Sequence, residues 1–424
     1  MATEIQLGDD TNPDTDLVDR ALNGEVFVIR GVYNRFQLFK TLITASLDAI
    51  GKSVGEEVAR RAETDGFERI HEWVAPADIP AMTDAVYDSV KPLAPGFLTA
   101  FVQQAFPEAK TLYYEETPNV RFHIPYDLAR AQKDSFKSFS KDHGEGKITA
   151  HGPHRDSWLD CPSNGINLWF AVGPVRKGNG LTIYEADYQG DFVYKDSGDI
   201  ADGEKLHRPT TFDLEPGDCV MFHTDQVHGS ELNRINETRF VISFRMSFGK
   251  PIFPNRHYHK YVNANMVGTP FGFMASVPAA MQASYVRTLP WRASEKLSPR
   301  PKNEIVAAPP EAIGIERDGK FFVPIEAAPV GAVRGVSAAY CVARISENEA
   351  IAVSRRCPHS GGDFANGWVH DGAIVCPWHN LPFDAETGRS PCKTLAQVRR
   401  VKCDIIGDEI VIDPVAKEAA VEAG

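Results

Sequence analysis

Cys357-Pro-His359 and Cys376-Pro-Trp-His379 set two thiols and two imidazoles in the pattern C-x-H-x16-C-x2-H, and nothing else in the sequence restricts the fold as much. Thiolates and imidazoles are ligands of soft and borderline metals. Two such short loops act together only if a small β scaffold brings them side by side. A Cys2His2 zinc site uses the same residue types. Zinc sites more often pair Cys with Cys and His with His, however, whereas here each loop holds one of each. The surrounding segments "FFVPI", "AYCVARI", "AIAVSRRC", "AIVCPWH" and "DEIVIDP" are short β-rich runs separated by turn residues, which predicts an all-β unit.

The mixed pairing, with "GGDFANG" and "LPFDAETG" following the two ligand pairs, resembles the ferredoxin-type Rieske 2Fe-2S domain, in which two Cys hold one iron and two His the other. That resemblance implies a 2Fe-2S cluster on Cys357, His359, Cys376 and His379. Respiratory Rieske proteins carry an extra cysteine in each ligand loop. Gly362 and Trp378 stand in those places here, which implies the low-potential kind. The remaining cysteines of the seven, Cys161, Cys219, Cys341, Cys392 and Cys403, are read as ordinary thiols. His370, in the polar "GWVHDG" hairpin, is read as solvent-exposed.

The chain upstream has another character. "GEVFVIRGV" at 24–32 is a compact apolar run bounded by glycine, which predicts a buried strand. Next come Phe36, Phe39, Ile43, Leu47 and Ile50, recurring every three or four residues, which predicts one helix through "RFQLFKTLITASLDAIGKSVGEEVARRAE". Between about residues 110 and 250 the runs "NVRFHIP", "INLWFAV", "GLTIYEA", "PTTFDL", "CVMFH" and "TRFVISFRMSF" predict a β-sandwich or barrel. The expected organisation is a mainly β protein with flanking helices. A first domain over 1–287 is followed by a linker at 288–303, rich in proline and charge, and a second domain over 304–424.

Within the first domain, "HGPHRDSW" holds His154-Arg-Asp156, and "TDQVHGSELNRINETRF" holds His228, Ser230 and Arg239. Residues i and i+2 of a strand share a face, so His154 and Asp156 are expected to bind one metal side by side, with His228 from a later strand. Two His and one carboxylate make a facial triad that leaves open positions on iron. His151 competes poorly for the first ligand, because five residues separate it from Asp156. Arg121 and His123 in "VRFHIPY" alternate on an expected strand and serve either the pocket or structural pairing. Trp158, Trp169, Phe170, Tyr184 and Tyr188 line a pocket or fill the core.

The set His154-x-Asp156, His228-Gly-Ser230 and Arg239, over roughly residues 20–285, resembles the phytanoyl-CoA dioxygenase-like iron and 2-oxoglutarate oxygenases. The resemblance implies a double-stranded β-helix of jelly-roll or cupin-like form, with Fe(II) on His154, Asp156 and His228. It places the distal carboxylate of 2-oxoglutarate on Arg239 with help from Ser230, and sets Trp169 or Asn167 towards that cosubstrate. The chemistry implied consumes O2, releases succinate and CO2, and oxidises a C–H bond of a small-molecule metabolite. Related halogenases lack the carboxylate, so Asp156 implies hydroxylation, desaturation or carbonyl formation.

Such chemistry is electron-balanced without a Rieske cluster, and the expected roles for the cluster diverge. It re-reduces active-site iron after uncoupled turnovers, using a ferredoxin reductase or another electron donor. Alternatively it only packs or docks a partner, drives a Rieske-type monooxygenase, or reports redox state in a ligand sensor. The net charge of −12 and the lack of a basic tract argue against nucleic acid. An acidic N-terminus without an apolar h-region, and no apolar run approaching the roughly 18 residues of a span, give the expectation of a cytoplasmic protein with no membrane partner. A homo-oligomer stays open.

Overall fold

The computed structural model describes residues 2–6, 16–32, 37–106, 112–131, 151–159, 161–194, 198, 200–201, 204–253, 261–266, 312–359, 361–392 and 395–415. The chain forms two compact units, Met1–Asp191 with Thr210–Pro299, and Phe192–Pro209 with Arg300–Gly424. The expected linker at 288–303 lies outside the described residues, and the segment Phe192–Pro209 groups with the second unit.

The first unit opens with β1 (Thr3–Gln6), α1 (Leu17–Leu22) and β2 (Phe27–Arg30), then a helical block of α2 (Gln37–Val54), α3 (Glu56–Asp65), α4 (Ile79–Val90) and α5 (Ala94–Ala105). There follow β3 (Leu112–Glu115), β4 (Asn119–His123), α6 (Tyr126–Ala131), β5 (Gly165–Ala171), β6 (Leu181–Ile183) and β7 (Thr210–Thr211). The unit continues through β8 (Cys219–His223), β9 (His228–Ser230), β10 (Arg239–Phe248) and β11 (Tyr261–Asn263). The larger sheet has eight strands in the order β1-β2-β8-β5-β10-β3-β11, with β4 also paired to β10, and the smaller has the order β7-β6-β9. This is the cupin-like arrangement expected, mainly β with flanking helices.

Alternation along β10 shows how one strand serves two environments. Phe240, Ile242, Phe244 and Met246 join the helix-facing core, while Val241, at the other parity, joins the core between the sheets. By the same period of two, Arg239, Ser243 and Arg245 share the face of Val241. Phe39 of α2 packs against Phe170 of β5 with ring centroids 5.7 Å apart, and Phe97 of α5 lies 5.5 Å from Phe244. Burying each such side chain contributes roughly 1.5–3 kcal/mol. The expected single helix is two, α2 and α3, because Gly55 between them has φ of 111°. No residue with a Cβ continues a right-handed helix through that angle, and glycine adopts it without strain. Among the described residues, no helix is long and apolar enough to cross a membrane.

In the second unit, β12 (Ile315–Arg317), β13 (Lys320–Pro324), β14 (Val333–Gly335), β15 (Tyr340–Ser346) and β16 (Glu349–Ser354) precede the metal-ligand loops. β17 (Trp368–His370), β18 (Ala373–Cys376), β19 (Leu381–Asp384), β20 (Arg400–Ile406) and β21 (Glu409–Asp413) complete it. A seven-stranded sheet runs β12-β13-β21-β20-β16-β15-β14, and β17-β18-β19 form a separate three-stranded sheet. Val323, Val342, Ala352, Val401, Ile410 and Ile412 fill the core of the larger sheet.

Candidate metal centres

His154, Asp156 and His228 come together in the first unit, all buried, with their ligand atoms within 4.8 Å of one another. Two elements hold them. His154 and His228 exchange backbone hydrogen bonds of 2.9 Å in both directions across an isolated bridge, so β9 fixes both histidines at once. Asp156 does not continue that extended segment as expected. It begins a short 3-10 turn, Asp156–Leu159, because its N–H is drawn to the Thr224 carbonyl at 3.1 Å. The carboxylate still reaches the histidines, through that turn rather than through a shared strand face.

The ring orientations suit a metal. Nδ1 of His154 donates to the Gly152 carbonyl at 2.8 Å and Nδ1 of His228 to the Gln226 carbonyl at 2.9 Å. Each bond fixes the proton on Nδ1 and leaves Nε2 with a free lone pair. Both Nε2 atoms face Oδ1 of Asp156, at 3.7 and 3.9 Å. A first-row metal with bonds of about 2.1 Å fits among three donors at this spacing. Burial, then the neighbouring His154, push His228 down to about 4, so its imidazole is neutral at physiological pH. Burial alone would raise Asp156, but Arg245, His228 and His154 together hold its carboxyl well below the usual carboxylate range.

Arg245 was not singled out from sequence. Its Nε donates to Oδ2 of Asp156 at 3.0 Å, one Nη to Oδ1 at 3.1 Å, and the other Nη to Glu115 at 3.1 Å. Asn167, on β5, donates its amide to Oδ2 of Asp156 at 2.9 Å. Arg155, between the ligands, donates to the carbonyls of Asp187, Tyr188 and Gly190 at 2.8–2.9 Å and so anchors the ligand loop. A charged residue at an inward parity in an otherwise apolar strand, as Arg245 is in "RFVISFRMSF", was the available signal. His151 is not in the trio, though its ring lies 5.5 Å from that of His154 and its carbonyl accepts from the Ser230 N–H.

Arg239 opens β10 and is 1% exposed, with its guanidinium 5.4 Å from the Trp169 ring centroid. Its Nη1 donates to the Asn179 carbonyl at 2.7 Å, while Nε is buried without a hydrogen-bond partner, as is Nδ2 of Asn179. An orphaned donor on a buried guanidinium fits a carboxylate ligand. Ser230 is buried on β9, opposite Leu181 of β6. Phe170 belongs to the helix-facing core and not to this face.

In the second unit, Cys357 and His359 follow β16, Cys376 ends β18, and His379 lies in the turn before β19. Cys357 and Cys376 are within hydrogen-bonding distance of each other, and the His359 and His379 rings are 4.8 Å apart. Thiols beside thiols and imidazoles beside imidazoles match a two-iron centre with one pair per iron. Among the described residues the four do not gather as closely as the trio of the first unit, where one ion suffices. A Cβ on Gly362 would stand 2.9 Å from Sγ of Cys376 and 3.0 Å from Cγ of Trp378, so the cradle admits only glycine there. Arg355 and Asp363, each 1% exposed, form a bidentate pair at 2.9–3.0 Å that ties the two ends of the first ligand loop. His370 is half-buried, 3.2 Å from Asp371.

Residues 63–241 match the family model of phytanoyl-CoA dioxygenase (PhyH), and residues 325–403 match that of the Rieske [2Fe-2S] domain. A search of curated proteins found no match. Among solved structures, the epimerase SnoN in complex with Fe3+, alpha ketoglutarate and nogalamycin RO is 15% identical, covering 57% of this chain and 87% of its own, with a TM-score of 0.34. A complex of reduced oxygenase and oxidised ferredoxin in carbazole 1,9a-dioxygenase is 18% identical over 21% of this chain and 95% of its own, with a TM-score of 0.19. A ferredoxin of Sphingomonas yanoikuyae B1 is 19% identical over 21% of this chain and 92% of its own, also with a TM-score of 0.19. These scores are too low for function to be read from them. The chain thus carries, in order, a segment that matches the phytanoyl-CoA dioxygenase (PhyH) model and one that matches the Rieske [2Fe-2S] model, which indicate Fe(II), 2-oxoglutarate and a 2Fe-2S cluster as its cofactors.

Proposed function

We propose that the protein is a 2-oxoglutarate-dependent dioxygenase that hydroxylates a C–H bond of a small-molecule metabolite, with the Rieske cluster re-reducing the active-site iron when a turnover is uncoupled. Its domains are 1–287 and 304–424, joined by 288–303. The single observation carrying the oxygenase reading is the convergence of two tautomer-fixed Nε2 atoms on Oδ1 of Asp156. When bound, ferrous iron and 2-oxoglutarate supply an O2-dependent decarboxylation to succinate and CO2 that removes hydrogen from the substrate.

This chain's own residues supply the rest. His154, Asp156 and His228 hold the metal, and Arg245 with Asn167 aim the carboxylate. Arg239 holds the distal carboxylate of the cosubstrate with help from Ser230, buried on β9 of the smaller sheet, and Trp169 covers the guanidinium. Cys357, His359, Cys376 and His379 hold the cluster, and a reductase or other donor feeds it. The full-length protein should bind one ferrous ion beyond its cluster iron, and His154→Ala or Asp156→Ala should retain cluster iron alone. If both variants kept the extra ion, the trio would not be the metal site. For the electron role, Cys357→Ser should shorten the burst of turnovers in the absence of ascorbate and leave the initial rate unchanged. An unshortened burst would assign the cluster a different task.

A further inference from the structure

Among the described residues, Arg121 of β4 is a charge without a partner on the face that carries the metal trio's supports. It lies opposite Val241 of β10, as His123 lies opposite Arg239. Cross-strand partners share a face, and Val241 belongs to the core between the sheets, whereas Val120 and Phe122 join the helix-facing core. Arg121 thus occupies the interval between Arg239 and Arg245. Arg245 is neutralised by Asp156 and Glu115, and Arg239 gives Nη1 to Asn179. Among the described residues, Arg121 makes no hydrogen bond or ion pair.

The groups feel one another. Burial, then Arg245, push Arg121 down to about 10, and burial, then Arg121, push Arg239 down to about 9. Glu231 also acts on Arg239, but no carboxylate acts on Arg121, and a half-buried guanidinium that faces other guanidiniums is costly unless an anion joins it. A dianion reaching from the trio to Arg239 passes the interval that Arg121 occupies.

We propose that Arg121 binds the carboxylate at the keto-acid end of 2-oxoglutarate, while Arg239 binds the distal one. This rests on the reading of the cleft as a 2-oxoglutarate site. The same carboxylate chemistry has a second source, an acidic group on the primary substrate, and the experiment separates the two.

The experiment is anaerobic calorimetry of the Fe(II)-loaded full chain with 2-oxoglutarate and with 2-oxobutanoate, which keeps the keto-acid end and lacks the distal carboxylate. Arg121→Gln should weaken both acids alike, on the order of 10- to 100-fold, the range of a charge-assisted hydrogen bond. Arg121→Lys should recover part of the loss, because it keeps the charge without the fork. Arg239→Gln should abolish the preference for 2-oxoglutarate over 2-oxobutanoate. The ligand-free Arg121→Gln protein should melt no lower than the parent, since it loses an unpaired charge, and a clearly lower melting temperature would make Arg121 structural and overturn the proposal. Parent-like affinity of Arg121→Gln for both acids, with the preference lost in Arg239→Gln, would overturn it and hand Arg121 to the primary substrate. Weakening of 2-oxoglutarate alone would move Arg121 to the distal carboxylate, and overturn it too. No binding of either acid by the parent would remove the cosubstrate reading along with it.

Discussion

Asn167 and Nε of Arg245 occupy Oδ2 of Asp156, and Oδ1, which also accepts one Nη of Arg245, faces both imidazoles. Supports of this kind orient a ligand and hold its charge, and their loss weakens metal binding by about 10- to 100-fold. Arg245→Met should show that loss in Mn(II) or Fe(II) titrations; unchanged affinity would leave Arg245 a purely structural partner of Glu115. The grouping of His154, Asp156 and His228 was legible in sequence because a metal site needs His and Asp at close spacing. Arg245 was not, because its partner lies 89 residues away and only folding brings the two together. The bond from Asn167 to Asp156 was not legible either, since parity gives the face of a side chain and not the atom it meets.

His71 offers a test through pH. It is buried between Thr238 and Asn236, and burial pushes it below its ordinary value of 6.5, against the opposing hydrogen bond that His71 Nε2 donates to Asn236 Oδ1. As pH falls through 6.5 the unfolded chain takes up a proton there and the folded chain does not. The stability contributed by neutral His71 is thus complete above that pH and is lost below it, down to the lowered folded value. In urea titrations of the metal-free protein between about pH 8 and about pH 5, His71→Gln should lose less stability on acidification than the parent. An equal slope would show that His71 is not among the groups responsible, leaving His223 and His228, which are lowered by burial as well.

At the scale of elements, the cluster loop depends on one buried ion pair. Asp363 receives Arg355 through both oxygens and also accepts the Ala365 N–H, so it closes the loop that carries Cys357 and His359. Removing one partner strands a buried charge, at a cost of about 3–5 kcal/mol. Asp363→Ala should lower the unfolding free energy, read from denaturant titrations of the cluster's visible absorption, by that amount, and an Arg355→Met, Asp363→Leu double variant should recover part of it. A double variant no better than the single would locate the cost in the loop's shape. The strands and ligand loops of this unit were readable from their turn residues and motif. Neither the break at Gly55 nor the turn beginning at Asp156 was readable, because apolar spacing runs on through a glycine and a lone His-x-Asp fits a strand or a turn.

For the molecule as a whole, the two centres use different ligands on different scaffolds. The first is a cleft of two sheets that buries three donors beside a bank of arginines, and the second sets two thiols and two imidazoles on the loop after β16 and the turn between β18 and β19. The variants should therefore separate. His154→Ala should keep the Rieske visible and EPR signatures, and Cys357→Ser should lose them while keeping one ferrous site. The two-part architecture was legible because each part carries its own motif. The grouping of Phe192–Pro209 with the second unit was not, because no composition shift marks that segment. The most direct test of the oxygenase centre needs no substrate: succinate formed from 2-oxoglutarate with Fe(II) in air, in the full-length protein and in His154→Ala and Asp156→Ala. Slow succinate release by the parent, lost in both variants, is the result expected. Succinate at the parent's rate in either variant, or none from the parent even with added reductant, would contradict the assignment of His154, Asp156 and His228 as the catalytic metal site.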